Sequence, residues 1–259
     1  DEKIWDLVHY VQTLSPSQKP EIPLFLNVKK IDGELPDAPN DPVWKTLDSN
    51  FYPLGGQIIQ PEKVIYPIID NIIVKAVHNG QDIAFYLHWD DPTVDPILKK
   101  STAVVESPAP PLPAHLQTYE PEEQQNEELK PQEFPDSIAI QFPNYVGDGN
   151  ERPYFLNGDS EHPVNLWKWS SHPMKALEIN ATGINNQKFQ KKQNLVSQAS
   201  FEYGRYYLTI KRPLTTMEKD DLQFRSGQII PIAFNAWNGS AGETGSQKVV
   251  SSWYNLILE

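Results

Sequence analysis

Side chains that move protons, attack carbonyls or hold metals are thinly spread along this chain. Its six histidines, His9, His78, His88, His115, His162 and His172, are scattered. Only His162 and His172 stand near one another, and neither has a partner at metal-ligand spacing. His78 and His88 flank one hairpin and are the pair a strand register would set face to face; the plainer reading is hydrogen-bonded structural histidines. Asp90-Asp91 is a carboxylate pair of the kind that does acid–base work or binds calcium. An aspartate just ahead of Pro92 at a strand end is, however, an ordinary turn residue. Gly239 to Gly245 has the glycines of a phosphate-cradling loop but not its lysine, and it lies between two apolar runs, as a hairpin turn does. There is no nucleophile elbow and no HExxH helix. The sequons at Asn180 and Asn238 are common by chance. With no nucleophile, base and complete metal site to assemble, the chain reads as non-catalytic.

The elements available to position any site are short strands. Alternation of apolar and polar residues marks strands at Gln57 to Tyr66, Asn71 to His78, Asp82 to Trp89, Ser137 to Phe142, Leu166 to Ser170, Leu195 to Glu202, Arg205 to Lys211, Gly227 to Trp237 and Val249 to Leu258. Asn79-Gly80 and Tyr203-Gly204 supply tight hairpin turns. Nine or so such strands imply an all-β fold, an antiparallel β-sandwich of immunoglobulin-like or carbohydrate-binding-module-like type. Ahead of them, Ile4, Trp5, Leu7, Val8, Val11 and Leu14 recur at helical spacing until Pro16 ends the pattern. So short a helix needs something to pack on. From about 107 to 135 the chain is rich in Pro, Glu and Gln and reads as a long surface excursion, either a tolerated insertion or a partner-binding arm.

Composition narrows the function classes. Twenty-four prolines in 259 residues, against a usual share of about 5%, favour a loop-rich β protein. A net charge of −12 repels phosphate backbones and anionic lipid, which argues against nucleic-acid binding. The absence of cysteine removes disulfides, iron–sulfur ligation and the c-type haem attachment motif. No apolar run approaches the ~20 residues of a membrane span, and no signal peptide opens the chain, which therefore reads as mature or trimmed.

Several ordered segments together resemble the ethylbenzene dehydrogenase-type haem b domain. They are Phe134 to Pro143, Arg152-Pro-Tyr-Phe-Leu-Asn-Gly-Asp159, Pro163 to Trp169, Gly204 to Leu214, and Ile230 to Ser240, followed by Gly245-Ser-Gln-Lys248 and Ser252-Trp-Tyr254. The Asp82 to Pro92 hairpin agrees with them, and the likeness runs from about Ile31 to Glu259. That family supplies the γ subunits of periplasmic molybdenum enzymes such as ethylbenzene dehydrogenase, selenate and chlorate reductases, and nitrite oxidoreductase. The resemblance implies a sandwich holding haem b through Met and Lys axial ligands. It also implies electron transfer with molybdoenzyme catalytic and iron–sulfur subunits, and an extracytoplasmic location, the periplasm or its equivalent.

On this resemblance Lys211 falls at the family's lysine, as the candidate ligand of the haem iron. A lysine binds iron only as the neutral amine, which requires burial. Outward orientation, or pairing with a carboxylate, is the alternative for Lys211. Asn157 stands where the family motif Phe-Leu-Met-Gly-Asp has its methionine, and asparagine is a hard, poor ligand for haem iron. The loop between Trp169 and Leu195 is also shorter than usual. Haem b would then bind through Lys211 alone or with His162 or Met174 as substitute, with Trp167, Trp169 and Trp237 lining the pocket. In the other reading the pocket is degenerate and the domain survives as a haemless interaction or assembly module. A carbohydrate-binding sandwich is a third possibility.

Residues 1–15 resemble the last helix of a class I cytochrome c. The resemblance implies that this is the C-terminal part of a longer protein, with 16–259 as the sandwich and a haem c domain upstream; a coincidental amphipathic helix is the alternative.

Overall fold

A computed structural model describes residues 25–96, 134–147 and 151–259. The expected helix at 1–15, with the cytochrome c likeness, and most of the 107–135 excursion lie outside the described residues, as do His9 and His115.

The described chain is a β-sandwich. Its strands in order are β1 Phe25–Lys30, β2 Asn50–Pro53, β3 Gly55–Gly56, β4 Asn71–His78, β5 Asp82–Asp90, β6 Ser137–Pro143, β7 Val164–Ser170, β8 Lys175–Ala181, β9 Gln187–Phe189, β10 Val196–Phe201, β11 Arg205–Pro213, β12 Ile229–Trp237, β13 Val249–Val250 and β14 Tyr254–Leu258. The first layer runs β10-β11-β5-β4 with β2 beside β4, and the second runs β14-β12-β6-β7-β8-β9. β1 joins the two. Its first half pairs in parallel with β14 and its last two residues with β4, so it bends from one layer to the other. The other pairings are antiparallel, as the sequence predicts.

Period-two alternation decides which side chains face inward. On β5, Phe85, Leu87 and Trp89 point to the interior; on β7, Trp167 and Trp169 do; on β11, Tyr206, Leu208 and Ile210. The two layers interlock through these rings. Phe85 meets Trp167 at 5.7 Å between centroids, Trp89 meets Trp169 at 5.9 Å, and Tyr52 meets Phe234 at 5.1 Å. Aromatic pairs at such offsets add to the area they bury. Among the described residues these inward side chains pack against one another across the interior.

One buried charge network closes the sandwich edge. Arg212 ends the inward series of β11 and donates to Glu178 of β8 at 2.9 Å, with Asp221 at 3.7 Å. All three side chains are fully buried. The guanidinium also lies 4.7 Å from the centre of the Trp167 ring.

The structure departs from the expected elements in three places. Gln57 to Tyr66 is a turn-rich segment rather than a strand, because Gln57 bonds back onto the backbone amides of Ile59 and Gln60 and holds the chain curled. β1, β2, β3, β8 and β9 are strands that sequence alternation did not mark. Val249 to Leu258 is interrupted, and its two halves pair with different stretches of β12.

Candidate functional site: a buried lysine–asparagine contact

The outer face of the second layer carries Gln141 of β6, Lys168 of β7, and Asn235 and Trp237 of β12. Two irregular segments cover part of it. The first, Arg152 to Asp159, crosses β6, where Gln141 donates to the carbonyl of Phe155 at 3.2 Å and Asn235 donates to Gln141 at 3.3 Å. Asn157 and Gly158 then turn the chain with φ of 67° and 71°. Asparagine tolerates this left-handed region better than most side chains. Glycine is required beside it, since a Cβ at 158 would stand 2.6 Å from the His162 carbonyl oxygen.

The second segment precedes β13. Pairing of Val249 with Ala236 sets Lys248 beside Trp237, whose ring centre is 5.2 Å from the lysine nitrogen. Lys248 Nζ donates to Asn157 Oδ1 at 2.6 Å. Both residues are fully buried, and Asn157 Nδ2 has no partner. Burial, with the nearby charge of Lys168 second, pushes the Lys248 amine down to about 7. Lys168 lies 4.1 Å from the centre of the same Trp237 ring, and burial lowers its amine to about 8.

The sequence-expected residues sit elsewhere, with one exception. Asn157 is at the heart of this contact, but its lysine is Lys248. Lys211 points to the outer face of the first layer and forms an ion pair with Asp37. The cause is parity, since Ile210 and Arg212 take the inward positions on β11 and leave Lys211 outward. Trp167 and Trp169 fill the core. Trp237 is the one expected tryptophan that touches the site, through both lysines. Met174 is exposed at the β7–β8 turn, while Asn157 bonds Gly183 beyond the opposite end of that hairpin. Seven-residue strands put about 20 Å between those ends. His162 is held by Asp159 at 3.3 Å and Glu151 at 3.4 Å. His78 and His88 pair with Ile83 and Ile73 rather than with each other. Asp91 makes the expected turn, accepting from Thr93 N at 3.1 Å, and burial followed by the Asp136 charge raises it to about 7.

Lys248, Lys168, Gln141 and Asn235 were not singled out by sequence. Lys248 had a signal: it ends the Gly245-Ser-Gln-Lys248 segment of the family likeness, immediately before an apolar strand.

Residues 41–194, more than half of the chain, match the family model described as ethylbenzene dehydrogenase. The chain belongs to that family. Among curated relatives, it is 28% identical over 126 residues to a Haloferax mediterranei protein provisionally named respiratory nitrate reductase heme subunit ORF7, covering 49% of this chain and 44% of that protein. It is 23% identical over 124 residues to the dimethylsulfide dehydrogenase subunit gamma of Rhodovulum sulfidophilum, covering 46% and 45%. The chain thus spans less than half the length of these relatives of the ethylbenzene dehydrogenase family. Solved structures of similar shape include a family 9 carbohydrate-binding module from Caldicellulosiruptor kristjanssonii in complex with glucose, at TM-score 0.45 and 7% identity over 90% of this chain and 95% of that one. Another is a Bacteroides uniformis protein provisionally named carbohydrate-binding, at 0.49 and 8% over 91% and 99%.

An axial pair tests the fit of haem to this ethylbenzene dehydrogenase family member. Metal–nitrogen bonds run near ~2 Å, so two donors on opposite sides of one iron stand about 4 Å apart or more. Asn157 and Lys248 are in direct contact at 2.6 Å, and Asn157 offers a hard carboxamide where the resemblance implies a thioether. As arranged, this pair does not fit an iron between its members.

Proposed function

We propose that this chain is the accessory, non-catalytic γ-type module of a molybdoenzyme complex in an extracytoplasmic compartment. It works there as a docking and assembly element rather than as a haem carrier through Asn157 and Lys248. The observation that carries the reading is the Lys248–Asn157 contact, set at the family's methionine position inside a chain of the ethylbenzene dehydrogenase family. That hydrogen bond occupies the Asn157 side chain and joins the 152–159 turn to the segment before β13.

Family membership and the relatives' names support the accessory role. The surface adds support. Ile58, Ile59, Ile65, Tyr66 and Ile68 are all strongly exposed within one short segment, and clustered apolar exposure is usual where another protein covers it. The partner we infer is the catalytic or iron–sulfur subunit of the complex.

The test is purification of the tagged full-length protein from its native cells, with molybdenum measured in the eluate and the subunits identified by mass spectrometry. The reading expects stoichiometric molybdenum and a co-eluting molybdopterin subunit. A chain that elutes alone and metal-free under mild salt overturns it.

A further inference from the structure

Beside the lysine–asparagine contact, the outer face of β6 to β9 bears an open groove of about 370 Å³. Pro135, Pro173, Leu177, Ile179 and Phe189 form its apolar walls, and Lys168 reaches into it. The volume lies near the lower end of small-molecule sites, which run about 300–1,000 Å³.

Lys168 is an unusual residue for this place. On the sheet it stands between Ala139 and Leu177, where an apolar side chain would pack at no electrostatic cost. Among the described residues no carboxylate pairs with its amine and no acceptor bonds it; its neighbours are the Trp237 ring at 4.1 Å and the second cation, Lys248. Burial lowers its proton affinity, and no acid opposes that shift. Lys168 is half-buried, and an ammonium partly withdrawn from water without a counter-charge carries a cost that no described residue offsets. Lys168, with Lys175 also on the lining, beside these apolar walls is the complement of an anion on a hydrocarbon body.

We propose that this groove binds a small monocarboxylate with an apolar body, its carboxylate paired with Lys168 and its chain or ring laid against Leu177, Ile179 and Phe189. A phosphate or sulfate alone would leave those walls wet, and a neutral alcohol would leave the amine unpaired. The ligand selects the ammonium form, so binding takes up a proton, and affinity falls as the free amine deprotonates. The proposal stands independently of the role in a complex.

The experiment is titration calorimetry of the full chain with octanoate and 4-phenylbutyrate, in two buffers of different ionisation enthalpy, with 1-octanol and inorganic phosphate as controls. We expect saturable one-to-one binding of both acids, net proton uptake near pH 8, and affinity about tenfold weaker at pH 9 than at pH 7. Neither control should saturate. Lys168→Met should lower affinity at least tenfold, and Lys168→Arg should keep most of it. Phe189→Asp, at an exposed edge-strand position, should also weaken binding while leaving the melting temperature unchanged, which covers the case of a misfolded Lys168 variant. Absent saturation at millimolar acid, equal binding of octanol, or wild-type affinity in Phe189→Asp would each overturn the proposal. Unchanged binding by a folded Lys168→Met would show that the lysine merely lays its stem on Trp237 with its head in water.

Discussion

Lys248 and Asn157, ninety-one residues apart, meet at 2.6 Å in complete burial and fasten the 152–159 turn to the segment before β13. In water such a hydrogen bond contributes little, because both groups would be solvated anyway. Buried, it cannot be lost cheaply: an unpaired donor or acceptor there costs about 1–3 kcal/mol. The contact therefore acts as a clasp, and its chemistry sets the following expectations.

The clasp gives stability a measurable pH dependence. The folded-state amine of Lys248 titrates near 7, while an unfolded lysine titrates near ~10.4. Between these values the unfolded chain binds the extra proton, so stability rises with pH, by at most about 1.4 kcal/mol per unit from this group. Below pH 7 both states hold the proton and the contribution is flat. Denaturant unfolding of wild type and Lys248→Met from pH 6 to pH 9 should show a gain above pH 7 that the variant lacks. Parallel curves would contradict it.

Asn157→Met restores the family's residue. It removes the acceptor from Lys248 and puts a longer side chain in a left-handed conformation, which costs about 1–2 kcal/mol. We expect about 2–4 kcal/mol less stability without cofactor. A variant as stable as wild type would show that the carboxamide is not holding the clasp.

Much of the framework was legible in the sequence, and the reason lies in alternation. Where one face is apolar and the other polar, as along Asn71 to His78 or Arg205 to Lys211, strands announce themselves. β8, Lys-Ala-Leu-Glu-Ile-Asn-Ala, is built largely of good helix formers and becomes a strand through pairing with β7, an instance of tertiary context overriding local preference. Gln57 to Tyr66 misleads in the other direction: its apolar residues face solvent. The site was half legible. Asn157 is named by the family motif, but its partner depends on which side of a strand faces the core. On β11 the inward cation is Arg212, held by Glu178 and ring faces, so an inward charge in that strand was foreseeable and its identity was not.

That arginine supports a second stability prediction. Glu178→Ala leaves Arg212 buried with Asp221 at 3.7 Å as its remaining carboxylate among the described residues, and breaking a buried pair from one side costs about 3–5 kcal/mol. Urea unfolding should show this loss with an unchanged m-value. A cost under about 1 kcal/mol would mean the network is not holding β8 to β11.

The exposed segment around Ile65 separates assembly from folding. Ile65 is two-thirds exposed, so Ile65→Glu should move the melting temperature by less than about 2 °C, surface changes being worth within ~0.5 kcal/mol. Recovery of the molybdenum-containing partner should fall at least tenfold. Unchanged recovery would move the docking face elsewhere.

The most direct measurement of the central claim is the absorption spectrum of the purified full-length protein before and after incubation with haemin and gel filtration. With Lys248 committed to Asn157, the sandwich should emerge without a Soret band and give no b-type pyridine haemochrome in either case. One haem b per chain, lost on Lys248→Met, would contradict the clasp and return the chain to the haem-carrying role that the resemblance implies.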